Sequence, residues 1–460
     1  MGARRGAVLL PTVESPSALR GPAHAPIRWW RRPFGSTSSV MASGETAPFP
    51  VSTACVVITC AVVPAYTVRW HFGPLPTTLL ENAILLTIVV FAVECWRARV
   101  RPVWRTAVLI PTLLFLVAGV ISIVVAPDRR AALGLYRAYL LEPIAFGFVV
   151  INIVSSAQRA VWIVSALAVG GTVAGLANSV VVVQALRHHT YDVVNTPPVV
   201  IYNTANAVAL YLVPLIAFAG ATALHWKARR ERIIAVVFVI VGSTCVVLSF
   251  SRGGYLAMAA VAVGLAFSHR RRWALLIGGV VVAGTLMVIP TIRHRILTEI
   301  DLSNGHNTLV GRFHLWSVTV QMLRTRPVFG AGLSGFATAI GPYWNQTNID
   351  RYTYPHNIVL NFWTETGVLG VVAFASILYV GFARSWRGWR QRDAGWRAVH
   401  LGVLLALVAV VVHGLVDVPY WKNDLSLEFW TVLSLSLAPA ALLPRRPKSA
   451  ANSPMPAGSP

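Results

Sequence analysis

The chain has 460 residues, of which 56% are hydrophobic and 12% charged, and its formal net charge is +23. A soluble protein of this length does not need so much apolar surface, so the composition excludes an ordinary soluble enzyme and predicts a polytopic helical membrane protein. The basic balance does not indicate nucleic-acid binding, because the arginines are dispersed among apolar runs.

The chain begins and ends with polar segments. Residues 1–50 are rich in Pro, Ser, Gly and Arg and lack the apolar core of a signal peptide, so we expect a disordered basic cytoplasmic arm in contact with anionic lipid. Met41 offers an alternative start of translation near the end of this arm. Residues 444–460 are expected to form a disordered cytoplasmic tail.

Apolar runs of about twenty residues, long enough to cross roughly 30 Å of hydrocarbon, fill most of the remaining chain. Residues 51–290 predict transmembrane helices 1–9, and residues 357–443 predict helices 10–12. The spans must be helical, because open strands and loops would leave backbone groups unsatisfied in lipid. The predicted spans are 51–67, 77–96, 106–126, 131–155, 161–185, 198–224, 232–250, 254–269, 273–290, 357–383, 398–415 and 425–443.

Charge predicts the orientation of these spans. Basic residues concentrate in alternate links, which places both termini in the cytoplasm of a protein of the cytoplasmic (inner) membrane. The basic links are 97–105, 156–160, 225–231, 270–272, 384–397 and the tail. The long segment 291–356 then lies outside.

This segment, 291–356, predicts a large extracytoplasmic loop with catalytic residues. It contains an amphipathic stretch that should form a helix along the outer membrane face and stop at Pro327. Gly330 and Gly332 predict a turn after it. The apolar face of the helix is expected to consist of four residues: Phe313, Trp316, Val320 and Leu323.

Arg252 follows Ser251 between the seventh and eighth spans, where Gly253 and Gly254 should allow a tight reversal. One interpretation is an arginine that snorkels at a helix end. The other is a cation for phosphate, since the guanidinium is a rigid fork that stays charged. Arg312 opens the loop helix and can reach the membrane surface from there.

Other polar residues stand at span boundaries or inside spans. His356, before the tenth span, is either a polar cap or a group that exchanges a proton near neutral pH. His413 and Asp417, at the outer end of the eleventh span, either pair structurally or line the same outer cavity. Arg137 and Glu142 in the fourth span favour a structural pair, with a role in lining the cavity second.

Taken together, these motifs resemble the O-antigen ligase family, which includes bacterial O-antigen ligases and related polysaccharide polymerases. The similarity is densest from about 200 to 420, and it is carried by the order and spacing of motifs that are individually weak. They are Ser251-Arg252-Gly253, Arg312 with Trp316, Pro327 with Gly330-Ala331-Gly332 and Phe336, His356-Asn357 with Glu365 and Gly367-Val368-Leu369-Gly370, and His413 with Asp417.

The resemblance implies a fold and an activity. The fold would be an all-α polytopic membrane protein with about 12 transmembrane helices and a large extracytoplasmic helical loop, similar to the C-type (GT-C) glycosyltransferases. The activity would be transfer of a glycan from an undecaprenyl diphosphate carrier to an acceptor hydroxyl on the outer face of the membrane. The partners would be this donor, a glycan or lipid acceptor and the bilayer, with no cofactor, no metal ion and no nucleic acid.

The family's functional positions correspond to Arg252, Arg312 and His356. We expect the two arginines to clamp the diphosphate and His356 to activate or orient the acceptor hydroxyl, with inversion at the sugar. His413, Asp417 and Asn357 are expected to bind substrate. The fourth and sixth spans, the latter containing Asn203 and Asn206, should form a groove for the lipid. The segment 298–310 departs from the family pattern.

Three alternatives remain open from the sequence. A polysaccharide polymerase of the same family would differ only in its acceptor. A transporter of lipid-linked glycans fits the number of spans but not the large loop or the lack of an internal repeat. A membrane scaffold would leave the outer Arg and His residues without a role.

Overall fold

The computed structural model of the chain describes residues 49–73, 75–191, 199–202, 204–301, 307–344 and 353–438. Nearly all of the predicted arm, the whole predicted tail and Asn203 lie outside these residues. The helices, strands and contacts of the protein are therefore those of the described residues alone.

The described residues form a helical protein with one short hairpin. The strands β1 (Arg69–Phe72) and β2 (Leu75–Thr78) pair antiparallel. A π-helical turn, Tyr136–Leu141, joins α4 to α5, and short 3-10 turns cover Val63–Thr67 and Gly341–Tyr343. The α-helices are α1 Pro50–Ala61, α2 Leu79–Ala98, α3 Leu109–Val125, α4 Arg129–Leu135, α5 Glu142–Ile153, α6 Ala157–Arg187, α7 Ala205–His225, α8 Arg229–Leu248, α9 Arg252–Ser268, α10 Arg272–Leu286, α11 Pro290–Ile300, α12 Thr308–Thr325, α13 Phe336–Ala339, α14 Ile358–Trp389, α15 Ala394–Gly414 and α16 Asn423–Leu437.

Each predicted span corresponds to a helix, with α4, the π turn and α5 together forming the fourth. Within the described ranges, seven helices are long and apolar enough to cross a membrane, or eight if the pair α10 and α11, bent by 99°, is one span. The chain is therefore a polytopic helical membrane protein. Helices α1, α3 and α9 are apolar but have 12, 17 and 17 residues, which at about 1.5 Å per residue is shorter than about 30 Å of hydrocarbon.

Helix α7 lies at the centre of the packing. It is almost wholly buried and contacts α15, α8, α9 and α6, so its apolar residues pack against protein. Helix α16 is buried over 424–437 and packs mainly on α5 and α15. Helix α10, in contrast, has no buried residue, as expected for a helix that faces lipid at the edge of the bundle.

Two elements of the structure are not predicted by the sequence patterns. The hairpin has strands of four residues, too short for a periodic pattern, and it turns at Gly73 with φ +59°. Helix α11 falls within the predicted loop, because its Arg-His-Arg sequence interrupts any apolar face. Pro290 at its first position is the usual signal of a helix start.

The predicted glycine turn is present and fits into a break in α14. Gly330 and Gly332 have φ of +67° and +80°, and Gly367 inside α14 has φ +68°. At this break the amide of Ala331 donates to the carbonyl of Thr364 at 2.7 Å, and that of Val368 to Val328 at 3.0 Å. The predicted span 357–383 is thus present as α14, and the structure adds a break at Gly367, where the backbone hydrogen bonds of the helix are shared with the loop.

The predicted pair Arg137 and Glu142 is present, with Nε 3.2 Å from the carboxylate, and it belongs to a larger network. Arg137 also contacts Glu81 of α2 at 2.7 Å. Asn423 of α16 donates to the other oxygen of Glu81 at 2.7 Å. The network joins α2, the π turn and α16, which supports the structural interpretation of the pair.

Candidate functional site

The site begins at the N-terminus of α9. The Ser251 hydroxyl caps this helix by accepting from the amide of Gly254 at 3.2 Å. The chain reverses at Phe250, which has φ +53°, whereas Gly253 and Gly254 lie in the first helical turn. The expectation that the two glycines form the reversal was therefore wrong.

These glycines instead allow close packing. A Cβ atom on Gly253 would lie 2.8 Å from the ring of His413, and one on Gly254 would lie 2.5 Å from Cβ of Ala209. Any larger side chain would push α9 away from α15 or α7. The glycines therefore hold the turn that carries Arg252 against the centre of the bundle.

Arg252 connects α9 with the loop helix α12. Its guanidinium donates to the Thr308 hydroxyl at 2.7 Å. The charges of Arg295, on α11, and Arg312, on α12, both act on Arg252. Three arginines from three helices thus converge, and like charges held together in a partly buried place favour an anion between them.

Arg312 is half-buried, and its charge also acts on Tyr354 and Asp417. Arg312 therefore connects Arg252 with the segment that carries His356. The structure brings all three family positions, Arg252, Arg312 and His356, into one region.

The backbone around His356 is held by contacts on both sides. The Trp316 indole of α12 donates to the carbonyl of Pro355 at 2.9 Å. His356 itself has φ +47°, an uncommon conformation for a residue with a side chain. The Tyr354 ring lies 4.3 Å from the imidazole, centroid to centroid. Burial, helped by the charge of Asp417, raises the pKa of Tyr354, so this phenol stays neutral.

Asp417 is the buried partner of His356. Its Oδ1 lies 3.3 Å from Nδ1 of His356 and accepts from the amide of Val418 at 2.9 Å, while Oδ2 accepts from Nδ2 of Asn206 at 2.8 Å. Only 2% of its side chain is exposed, against 16% for His356. Burial alone would raise the pKa of Asp417, but the hydrogen bond from His356 and the charges of His356 and Arg312 hold it well below its usual range.

His413 lies beside this pair without joining it. Its ring packs against Gly253, and within the described residues its buried Nε2 has no hydrogen-bond partner. The amide of Asp417 donates to the backbone carbonyl of His413 at 3.0 Å. Of the two interpretations of His413 and Asp417, the geometry favours two residues at the same site over a side-chain pair.

Asn357 has its polar atoms engaged within the protein. Its Oδ1 caps α14 by accepting from the amides of Val359 and Leu360, and its Nδ2 donates to the carbonyl of Leu415 at 3.0 Å. This side chain fastens the His356 segment to the link after α15. The geometry thus gives Asn357 a positioning role, whereas the sequence suggested contact with substrate.

The loop helix α12 is present, and the face that packs into the protein is largely distinct from the apolar face that the sequence predicts along the membrane. The residues that pack into the protein include Leu315, Val318 and Met322. Of the predicted face, Leu323 is buried, whereas Phe313 and Val320 are exposed by 54% and 38%. The exposed residues remain available to the membrane surface, because the helix carries apolar residues on two sides.

No group of three or more His, Cys, Asp or Glu residues within the described ranges is placed to hold a metal ion. Arg252, Arg295 and Arg312 supply fixed positive charge at the site.

Comparison with known families gives a match for the region that carries most of this site. Residues 235–375 match the family model described as O-antigen ligase. The resemblance to the O-antigen ligase family is therefore confirmed. The matched region contains Arg252, Arg312 and His356, whereas His413 and Asp417 come from the chain after it. No curated protein matches the chain.

Two polar residues of the site, Asn206 and Arg295, are not assigned to it by the sequence motifs. From the sequence, Asn206 is a polar residue in an apolar span and is expected in the lipid groove. Polar residues in spans often mark functional sites, so the signal is present. Arg295 lies in α11, the helix that the sequence does not predict.

Proposed function

We propose that the protein is a membrane glycosyltransferase of the O-antigen ligase type. It transfers a glycan from an undecaprenyl diphosphate carrier to an acceptor hydroxyl on the outer face of the cytoplasmic membrane. The observation that carries the proposal is the convergence of Arg252 and Arg312 with the His356–Asp417 pair in and beside the region that matches the O-antigen ligase family.

The arginines have the chemistry that a diphosphate leaving group requires. When the bond between the sugar and the diphosphate breaks, negative charge grows on the departing oxygen. Arg252 and Arg312 supply fixed positive charge and hydrogen-bond donors for this charge, in the place that a divalent cation takes in many other enzymes. Transfer in this scheme is independent of metal.

His356 has the chemistry of the base. Its Nδ1 faces Asp417 at 3.3 Å, so a proton on Nδ1 makes Nε2 the nitrogen that accepts another. The acceptor hydroxyl attacks the anomeric carbon, its proton passes to Nε2, and undecaprenyl diphosphate leaves. Attack from the face opposite the diphosphate inverts the anomeric centre.

The twelve-span arrangement and the outer placement of the site are part of the proposal. The helices that correspond to the twelve predicted spans, together with the alternation of basic links, support a GT-C-like bundle with both termini in the cytoplasm. The loop helix α12, with Phe313 exposed, would then lie at the outer surface. Helices α4, α5 and α7 are the candidates for the groove that receives the lipid chain.

The proposal leaves the acceptor hydroxyl general. A ligase and a polymerase of this family share the donor chemistry and differ only in the molecule that brings the hydroxyl. No contact among the described residues favours one acceptor over the other.

The test is transfer from an undecaprenyl diphosphate-linked glycan by purified protein in liposomes. We expect Arg252→Ala, Arg312→Ala and His356→Ala each to lower the rate by at least about 100-fold, because each removes charge stabilisation or the base. Matched controls are Arg324→Ala, an exposed arginine on the same helix as Arg312, and His71→Ala, an exposed histidine on the hairpin. Retained transfer in His356→Ala or Arg252→Ala, with the folded protein intact, would refute these assignments.

A further inference from the structure

The side chain of Asn206 lies where α7 enters the bundle and reaches the residue that orients His356. Its Nδ2 donates to Oδ2 of Asp417 at 2.8 Å. The other oxygen, Oδ1, is shared by Nδ1 of His356 and the amide of Val418. Both oxygens of a carboxylate that is 2% exposed are thus occupied, and their donors come from three separate parts of the chain.

We propose that Asn206 is a positioning residue for the transfer reaction, which sets the rotation of the Asp417 carboxylate and through it the tautomer of His356. The inference rests on the proposed function, since it assigns to Asn206 the task of keeping Nε2 of His356 as the proton acceptor.

The geometry explains why this donor is needed. A carboxylate at the end of a short side chain is free to rotate about its last bond, and the amide of Val418 fixes only one oxygen. The donor on Oδ2 turns the carboxylate plane so that Oδ1 stays toward the imidazole. Without it, the 3.3 Å contact is already long enough to be lost through a small rotation.

Asn206 stands on a rigid support. Helix α7 is the most enclosed of the candidate spans. Three positions after Asn206, Ala209 meets Gly254 of α9 at close range. Farther along, the Tyr211 hydroxyl donates to the carbonyl of Leu167 at 3.1 Å. A donor on this helix is held in place relative to both the arginines and Asp417.

Charged and titratable groups from several helices surround Asp417. They are His356 before α14, His413 on α15, Tyr354 in the loop and Arg312 on α12. The positive charge of Arg312 favours an ionised Asp417. An asparagine at position 206 adds a hydrogen-bond donor to this carboxylate without adding charge. An acid at position 206 would place two carboxylates in contact.

The test uses the isosteric substitution Asn206→Asp in the full-length protein in liposomes, with Asn206→Ala beside it. At mildly alkaline pH both variants should transfer glycan more slowly, by up to about 100-fold, with the loss in kcat and little change in KM. At mildly acidic pH the introduced carboxyl should hold a proton, because two adjacent carboxylates share one readily. It would then donate to Asp417 again.

The decisive quantity is therefore the rate of each variant divided by the wild-type rate at the same pH. This ratio removes the pH dependence that the variant and the wild type share. For Asn206→Asp it should rise as the pH falls, whereas for Asn206→Ala it should stay low and flat. Asn152→Asp, the same exchange at the other end of the bundle on α5, is the matched control, and its ratio should not change with pH.

An independent readout is the nitrogen NMR spectrum of protein labelled with 15N-histidine, in which His356→Ala identifies the signals of His356. Wild type should show protonated Nδ1 and unprotonated Nε2, and Asn206→Ala should show a mixture of tautomers. A wild-type rate in Asn206→Asp at every pH, or an equally flat ratio in both Asn206 variants, would overturn the proposal while His356→Ala remains inactive. If His356→Ala were active, the assignment of His356 as the base would fail. An unchanged tautomer of His356 in Asn206→Ala would overturn the positioning role of Asn206.

Discussion

At the scale of single residues, the site depends on how Asp417 is held. Its ionised state is maintained by three donors, His356, Asn206 and the amide of Val418, in a place that excludes water. Because its folded pKa is depressed, its ionisation contributes stability above the ordinary carboxyl pKa of 3.8, and this contribution is lost only as the pH falls through the depressed value.

The substitution Asp417→Asn tests this balance. It replaces an acceptor by an amide whose N–H₂ faces donors, so we expect a loss of stability of about 1.5–3 kcal/mol and a large loss of transfer. Because the pKa of Asp417 is held well below its usual range, the carboxylate is charged in the wild type at mildly acidic and mildly alkaline pH alike, so the loss of stability should be present at both. Thermal unfolding in detergent at several pH values measures it. An Asp417→Asn protein as stable and active as wild type would contradict the role of this carboxylate.

The sequence located some of these residues and missed others for a physical reason. Arg252, Arg312 and His356 each belong to a local motif in a recognisable order. The contact between Asn206 and Asp417 joins positions 211 residues apart, so no local pattern reveals it. His413 and Asp417 lie near each other in sequence, but only the packing of α9 shows that the His413 ring lies against Gly253.

At the scale of elements, the joint between the loop and α14 places the loop relative to the bundle. Gly330 accepts a left-handed conformation and lies against the carbonyls of Trp363 and Thr364, where a Cβ would be 2.2 Å from the nearer oxygen. The Trp363 indole closes the joint by donating to the carbonyl of Pro327 at 2.7 Å. The amide of Ser334 donates to the buried Glu365 at 2.7 Å.

Gly330→Ala should therefore be strongly destabilising. The added methyl group meets backbone that cannot move, and the positive φ is unfavourable for alanine. We therefore expect the free energy of unfolding to fall by about 1–3 kcal/mol, with lower transfer activity. Gly278→Ala is the control, because it lies in α10 with open space around it and should be neutral or stabilising by up to about 1 kcal/mol. Equal melting temperatures for wild type and Gly330→Ala would show that the joint does not hold the loop.

The sequence predicts the helices of the bundle well and their interruptions poorly. A continuous apolar run identifies a helix, but the run at 357–383 continues across Gly367, so its pattern contains no sign of the break. The loop helix is found from its periodicity, yet apolar residues on two of its sides make the buried face ambiguous. The hairpin and α11 are too short or too charged for periodicity to show them.

At the scale of the whole molecule, the bundle combines long and short helices. Of the helices in the described ranges, seven meet the length and apolarity of a span, and the short helices α1, α3, α9 and α16 pack against them. The site uses the ends of α7, α9, α14 and α15, together with the loop, and so depends on the bundle as a unit. Composition predicts such a membrane protein, whereas the number of true spans depends on where the lipid lies.

The proposed transfer has a consequence for cells. An enzyme on the outer face consumes lipid-linked glycan after the glycan has crossed the membrane. A transporter instead carries the glycan across, so its loss leaves the glycan on the cytoplasmic leaflet. The leaflet in which the lipid-linked glycan accumulates when the protein fails therefore separates the two, and the length of the stalled glycan separates a polymerase from a ligase.

The most direct measurement is the amount, length and leaflet of lipid-linked glycan in cells whose only copy carries His356→Ala, compared with wild type and with His71→Ala. A membrane-impermeant glycosidase reports the leaflet. We predict that carriers accumulate on the outer face in His356→Ala alone, stalled at one repeat for a polymerase and as long chains for a ligase. Accumulation on the cytoplasmic leaflet, or no accumulation with the glycan still reaching its acceptor, would contradict the account.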